Sequence, residues 1–486
     1  MFDDKVDAIR VGDSDSAPSF QKAALPLLDD AQLRKNLRHA TDVIQSKRAA
    51  VVAEQADWQE LRTAASSIKA HTLENLAHYL TQFEKNCSAA GGQVHWASDA
   101  DEANRIVAGL IQQYRSNEVI KIKTITSEEI GLNNALEKEG IRAHETDLAE
   151  VIIQLGEDKS SHIVVPAIHK NRSQVREIFK EHMNVPDLTD QPEQLTAAAR
   201  SYLREKFLRV QVGVCGANFL VADTGSICIV ESEGNGRMCL TLPDALICIS
   251  GIEKVIPAFR DLEVFLQLLP RSATGERMNP YNSLWTGVRP DDGPRHFHVL
   301  LLDNGRTKIL ADREARQTLH CIRCGACLNT CPVYRNTGGH AYGSPYSGPI
   351  GAIVTPQLLQ MRSAQSLPYA SSLCGACYEI CPVKINIPEV LIHLRGEIVR
   401  QQAGFDIEAI AMKTAAAVFT SRRRFEAAQR IGRIGQRAFV SNGWVRNLPG
   451  MLGNWMRVRD LRALPQQTFR EWWQQRAKAR RDDRHV

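Results

Sequence analysis

Seven of the twelve cysteines fall into two short runs whose spacing is that of ligands. Cys321, Cys324, Cys327 and Cys331 read C-x2-C-x2-C-x3-C and are followed by Pro332. Cys374, Cys377 and Cys381 repeat the x2 and x3 steps and end on Pro382. Iron–sulfide clusters take soft thiolate ligands, and in two-cluster ferredoxins the fourth cysteine of each run ligates the other cluster. The spacing therefore predicts one [4Fe–4S] cluster on Cys321, Cys324, Cys327 and Cys381, and a second on Cys331, Cys374 and Cys377. The chemistry this supplies is one-electron transfer.

The second set is one thiolate short. The repeat would place cysteine at position 371, where the chain has Ser371, with Ser372 beside it. Three readings stay open: a [3Fe–4S] cluster on three thiolates; a [4Fe–4S] cluster with a fourth ligand from serine, water or elsewhere; or completion by a partner subunit or substrate. Zinc is the usual alternative for paired C-x2-C motifs, but a C-x2-C-x2-C triplet and two Cys-Pro endings point away from it. The other cysteines, Cys87, Cys215, Cys228, Cys239 and Cys248, sit among apolar neighbours and read as buried small hydrophobes.

Other candidates are weaker. Glu231, Glu233 and Arg237 cluster around Gly234-Asn235-Gly236, read as a turn between strands that is either solvated or in contact with a ligand. Lys121 and Lys123 read as an anion contact or a strand edge. His296 and His298 share a strand face without a carboxylate nearby in sequence. Gly213 to Asn218 has glycines but no G-x-G-x-x-G order and reads as a turn, and no Walker motif occurs, which argues against a nucleotide site of either kind.

These residues need a scaffold, and 486 residues suffice for two or three domains. Residues 1–70 read as a helical segment with a sparse apolar stripe at Trp58, Leu61 and Ile68. Leu73, Leu76, Leu80, Phe83 and Cys87 recur at steps of three and four, one face of an amphipathic helix that Gly91-Gly92 would end. Strand candidates at 94–96, 119–122, 141–143, 163–165, 226–230, 245–249 and 296–302 alternate with helical stretches. Residues 71–305 are thus expected to form an α/β domain with a largely parallel sheet. Residues 306–400 hold the cysteines, with helices expected at 350–361 and 388–400, which suits an all-α helical ferredoxin domain. Residues 401–486 carry 17 Lys+Arg against 7 Asp+Glu, a basic helical tail that could meet nucleic acid, anionic lipid or an acidic partner. No apolar run approaches the roughly 20 residues of a membrane span, and Met1-Phe2-Asp3-Asp4 lacks the start of a secretory signal. Clustered cysteines without such a signal favour metal ligation in a reducing compartment.

The stretches KIKTITSEEIGLN (Lys121 to Asn133), VADTGSICIVESEGNGR (Val221 to Arg237) and YNSLWTG (Tyr281 to Gly287) resemble the lactate-utilization (LUD) domain. CIRCGACLNTCPVYR, YSGPIGAI and CGACYEICPVKINIPE follow them, an order similar to the LutB (LldF or YkgF) iron–sulfur protein family. The likeness runs from RKNLRHATDVI to the Phe-Arg-Glu-Trp-Trp tail. It implies a NagB/RpiA/CoA-transferase-like α/β fold beside the two-cluster module. It also implies an electron-transfer subunit of a complex that oxidises L-lactate to pyruvate and passes electrons to a downstream acceptor. The implied partners are a cysteine-rich subunit and a second LUD-domain protein. The implied location is cytoplasmic, with peripheral attachment at the inner membrane face as an option. The resemblance supplies no catalytic base in this chain. A rival reading, from the basic tail, is an iron–sulfur redox sensor that binds nucleic acid, although no helix-turn-helix pattern stands out.

Overall fold

The computed structural model describes residues 19–359, 364–401 and 407–449, with 453, 456 and 459–482 beyond. The chain divides into two compact units, 1–401 and 402–486.

The first unit is built on a six-stranded sheet, all pairs parallel. Its strands are β1 (Gln93–Ala97), β2 (Glu118–Lys121), β3 (Arg142–Glu145), β4 (Val212–Gly216), β7 (Ala245–Gly251) and β10 (His296–Leu302), in the order β1-β10-β7-β4-β2-β3. Strands buried on both faces read as continuous apolar runs. Ala245 to Gly251 is buried at every position, as is β10 after His296. A second sheet orders β8 (Val255–Ile256), β5 (Phe219–Val221), β6 (Ser226–Glu231) and β9 (Tyr281–Trp285), mostly antiparallel.

Several expectations are corrected here. Gly213 to Gly216 is a central strand, not a turn; a Cβ on Gly213 would collide with the Cys239 carbonyl oxygen, so the glycine lets a helix lie close on the sheet. Residues 226–230 and 245–249 are not two strands around a turn. They belong to different sheets, with the helix Asn235–Thr241 between them. Ile163-Val164-Val165 is not a strand; it is apolar because it packs on the cysteine-bearing segment. The face read as one helix from Leu73 to Cys87 is broken at Asn75, between helices Trp58–Glu74 and Leu76–Ala89.

The described N-terminal residues are helical: Phe20–Asp29, Ala31–Ala53 and Trp58–Glu74; residues 1–18 of the expected helical segment lie outside the described ones. Their buried side chains share one core with the cysteine segment and with the helix Leu262–Ala273. The buried face of Trp58–Glu74 is Trp58, Arg62, Ala65, Lys69, Thr72 and Leu73, so the stripe carries two cations that the apolar reading passed over.

Between 306 and 401 every named element is helical, and no strand occurs among the described residues. The expected helix at 350–361 is Gly348–Leu358, and residues 360–361 lie outside the described ones. The expected 388–400 helix is Ile387–Gln401. The second unit holds helices Ile407–Phe419, Arg422–Gly435 and Phe469–Asp482 and a small three-stranded antiparallel sheet. Among the described residues no helix is long and apolar enough to cross a membrane.

Candidate iron–sulfur centre

Each cysteine run folds as the same short loop. Arg323 and Leu373 take positive φ (60° and 55°), as do Gly325 and Gly375 (72° and 85°). Each glycine starts one helical turn, Ala326–Thr330 and Ala376–Ile380. Each turn stops at a cysteine in extended conformation, Cys331 and Cys381, because the following proline disfavours αR there.

The two loops bring distant thiols together. Cys321, Cys324, Cys327 and Cys381 line one cavity. Its apolar wall includes Ile163, Ile322, Ile350, Val383 and Ile387. Burial pushes the Cys324 and Cys327 thiols up, and the neighbouring cysteines of the same set push them further. Burial also pushes Cys381 up to about 11, against backbone N–H donors that favour its thiolate. Cys331, Cys374 and Cys377 form the other group. Burial raises Cys331, and Cys374 adds to it; Cys377 is pushed up to about 12 by burial, then by Cys331 and Cys374. Cys374 is the exposed member of the seven, flanked by exposed Tyr369, Leu373 and Tyr378. The helical turns Ala326–Thr330 and Ala376–Ile380 pack against each other, so the two groups adjoin.

The donor set fits clusters better than single metal ions. Among the described residues, the group whose ligand atoms all lie within 4.8 Å of one another is Asp158, His169 and His340, not the cysteines. A tetrahedral zinc with Zn–S of about 2.3 Å needs sulfurs only ~3.8 Å apart. The Asp158 carboxylate is bonded to His169 and Lys170.

A shell of cations surrounds the first group. Arg62 donates to the carbonyls of Cys381 (2.9 Å) and Tyr378 (3.2 Å), and Arg48 to that of Ile380 (3.3 Å). Lys69, Lys254 and Arg323 all sense Cys321. Burial pulls Lys69 and Lys254 down to about 8, and nearby cations add to that pull. Burial pushes these thiols up and these lysines down, and a net-negative iron–sulfide group with thiolate ligands would relieve both. Glu253 ties this shell to the α/β domain. It accepts from Arg306 (2.5 Å) and Arg323 (3.3 Å), and Lys69 donates to its carbonyl oxygen. Arg306 also forks onto Glu129 at 2.9 Å, and Tyr346 donates to that same carboxylate. Nothing in the cysteine spacing announces Arg48, Arg62, Lys69, Lys254 or Glu253; the one visible signal is a cation pair seven residues apart on a helical face.

The weaker candidates have partners within the chain. Lys121 and Lys123 hold the carboxylates of Glu145 (2.7 Å) and Glu150. Glu231 accepts from the N–H groups of Gly234 (2.7 Å) and Arg237 (3.1 Å), at the start of a helix, and Glu233 from that of Leu148 (2.9 Å). His298 is buried between His95 (3.0 Å) and the Tyr114 hydroxyl (2.6 Å), while His296 is exposed. Cys87, Cys215, Cys228, Cys239 and Cys248 are all buried.

Comparison with known proteins agrees with this geometry. The LUD domain model matches residues 80–302, the 4Fe-4S dicluster domain model residues 317–385, and the model for the C-terminal part of lactate utilisation protein B residues 393–478. Lactate utilization protein B of Oceanobacillus iheyensis is 42% identical over 460 residues, covering 94% of this chain and 96% of the relative. The Bacillus licheniformis protein of that name is 40% identical over 96% of this chain and 98% of its own. The Bacillus subtilis protein is 40% identical over 95% and 97%. Similarity on this scale, over nearly the full length of both partners, places the chain in the lactate utilization protein B family.

Proposed function

We propose that this chain is the iron–sulfur electron-transfer subunit of a complex that oxidises L-lactate to pyruvate. The first cluster is held by Cys321, Cys324, Cys327 and Cys381, the second by Cys331, Cys374 and Cys377. The observation that supports the reading is the apolar cavity that brings Cys381 of the second run to Cys321, Cys324 and Cys327 of the first, as crossed ligation requires. Clusters held there supply one-electron transfer. Lactate oxidation releases two electrons and two protons, so two adjoining one-electron sites suit its stoichiometry.

The residues divide the work. Ile163, Ile350 and Ile387 keep water from the first site, and the cations around it offset negative charge. Exposed Cys374, with Tyr369, Leu373 and Tyr378, puts the second site at the surface, where electrons can cross to another protein. The partners are a cysteine-rich subunit and a second LUD-domain protein in the cytoplasm. The all-parallel sheet supports a NagB/RpiA/CoA-transferase-like α/β domain, and the helices between 306 and 401 support an all-helical ferredoxin module. Anaerobic purification with iron and sulfide analysis tests the reading, followed by EPR after adding L-lactate and the two partners. A colourless protein, or clusters that stay oxidised in the full mixture, would refute it.

A further inference from the structure

We propose that Ser371 Oγ is the fourth protein ligand of the second cluster, which is thereby a complete [4Fe–4S] site with one oxygen donor. This deepens the proposed function and rests on the second cluster being present.

The case is the equivalence of the two loops, atom by atom. Cys321 Sγ accepts a hydrogen bond from the N–H of Arg323 at 3.4 Å; Ser371 Oγ accepts from the N–H of Leu373 at 3.1 Å. Both donors sit in left-handed backbone (φ 60° and 55°). The turns that follow carry the same bonds: Leu328 N–H to Gly325 O (3.0 Å) matches Tyr378 N–H to Gly375 O (2.9 Å). Cys331 N–H to Leu328 O (3.1 Å) matches Cys381 N–H to Tyr378 O (3.3 Å). Ser371 Oγ thus stands in its loop where Cys321 Sγ stands in the loop that lines the first cavity. A left-handed leucine is uncommon, and here it preserves the loop shape that presents position 371.

The Ser371 backbone is also held. Its carbonyl accepts from Arg395 (3.5 Å), whose Nε bonds the Pro368 carbonyl (2.9 Å) and whose guanidinium lies over the Tyr369 ring at 5.0 Å. This anchors the segment from the helix Ile387–Gln401. Coordination forms an Fe–O bond as the hydroxyl proton leaves to solvent, and no electron moves. A hard oxygen donor favours the ferric state over a soft thiolate, so the second site is held at a lower potential than a four-thiolate site in the same surroundings.

The test uses the full chain, reconstituted anaerobically, as wild type, Ser371→Ala and Ser371→Cys. Iron and sulfide are counted per chain, and low-temperature EPR and Mössbauer spectra are recorded. Wild type is expected to hold two cubanes. Ser371→Ala loses one iron per chain and displays a [3Fe–4S] signal. Ser371→Cys keeps the iron, alters the spectrum of the second cluster only, and raises its potential. Wild-type iron content and spectra in Ser371→Ala would overturn the assignment, as would a second-cluster spectrum unchanged in Ser371→Cys. Where Ser371→Ala fails to fold, Ser371→Cys decides. Absence of a second cluster from wild type would instead defeat the two-cluster reading, a separate outcome.

Discussion

Arg62 Nε donates to the carbonyl oxygen of Cys381 at 2.9 Å, joining residues 319 apart in sequence. The cysteine so held belongs to the second run but lines the cavity of the first. An N-terminal helix thus clamps the point at which the two loops cross. Arg62→Leu leaves the Cys381 and Tyr378 carbonyls without this donor, a cost of about 1–3 kcal/mol. It also removes a cation beside the Cys381 ligand, and a unit charge within several ångströms of a site at an effective dielectric of ~20 is worth on the order of 2 kcal/mol before solvent screening. The expected outcome is a lower urea midpoint and a first-cluster potential lowered on the order of 50 mV; potentiometry with EPR detection checks it, and an unchanged potential would show that Arg62 is only a clasp.

The crossing itself is open to mutation. Cys324→Ala and Cys381→Ala are expected to remove the first cluster and leave the second. Cys331→Ala and Cys377→Ala should do the reverse. EPR of the four proteins, with iron and sulfide counts, separates crossed from uncrossed ligation: if Cys381→Ala resembled Cys377→Ala, each run would serve its own cluster.

The buried Glu129–Arg306–Glu253 chain is costly to break and modest in net worth when whole. Arg306 is 1% exposed and carries two carboxylates. Arg306→Met leaves both without this cation, and a loss of about 3–5 kcal/mol is expected. A drop in thermal midpoint, with loosening of Arg323 and faster loss of the first cluster to chelator, is the readout. A stable variant with normal cluster retention would show that the two carboxylates find other partners.

At the carboxyl ends of β2 and β3, burial pushes Glu128 up to about 7, with Lys123 opposing and Glu150 adding to the rise. A folded carboxyl above its ordinary value near 4.5 holds more protons than the unfolded chain between those two pH values. Stability therefore falls as pH rises from about 4.5 to about 7. Glu128→Gln mimics the protonated form. It should match wild type at pH ~4, below both values, and exceed it by about 1–2 kcal/mol at pH ~8. Urea unfolding at both values checks this, and equal midpoints at the higher pH would remove Glu128 as the source.

The cysteine loops were legible because their information is local. Spacings of two and three residues, a glycine for left-handed backbone and a proline after the last thiol define one turn each, and the turn forms as expected. The parallel strands were legible for a related reason, since a strand buried on both faces must be apolar throughout. Gly213 misled because its glycine answers a helix packed on it from residues 235–241, which no window around it contains. Ile163 misled because an apolar run looks alike whether it faces a sheet or a cavity.

By itself, then, the chain's order of residues pointed to seven candidate thiolate ligands in two runs, and showed that the second run is one cysteine short of the first. Folding alone decided which cations surround the first set, that Arg62 and Lys69 turn inward, and that Ser371 occupies the place Cys321 holds in its twin. The reason is range. Ligand spacing is written within one turn of backbone, while burial, charge balance and the meeting of residues 62, 253 and 381 depend on contacts between segments hundreds of positions apart.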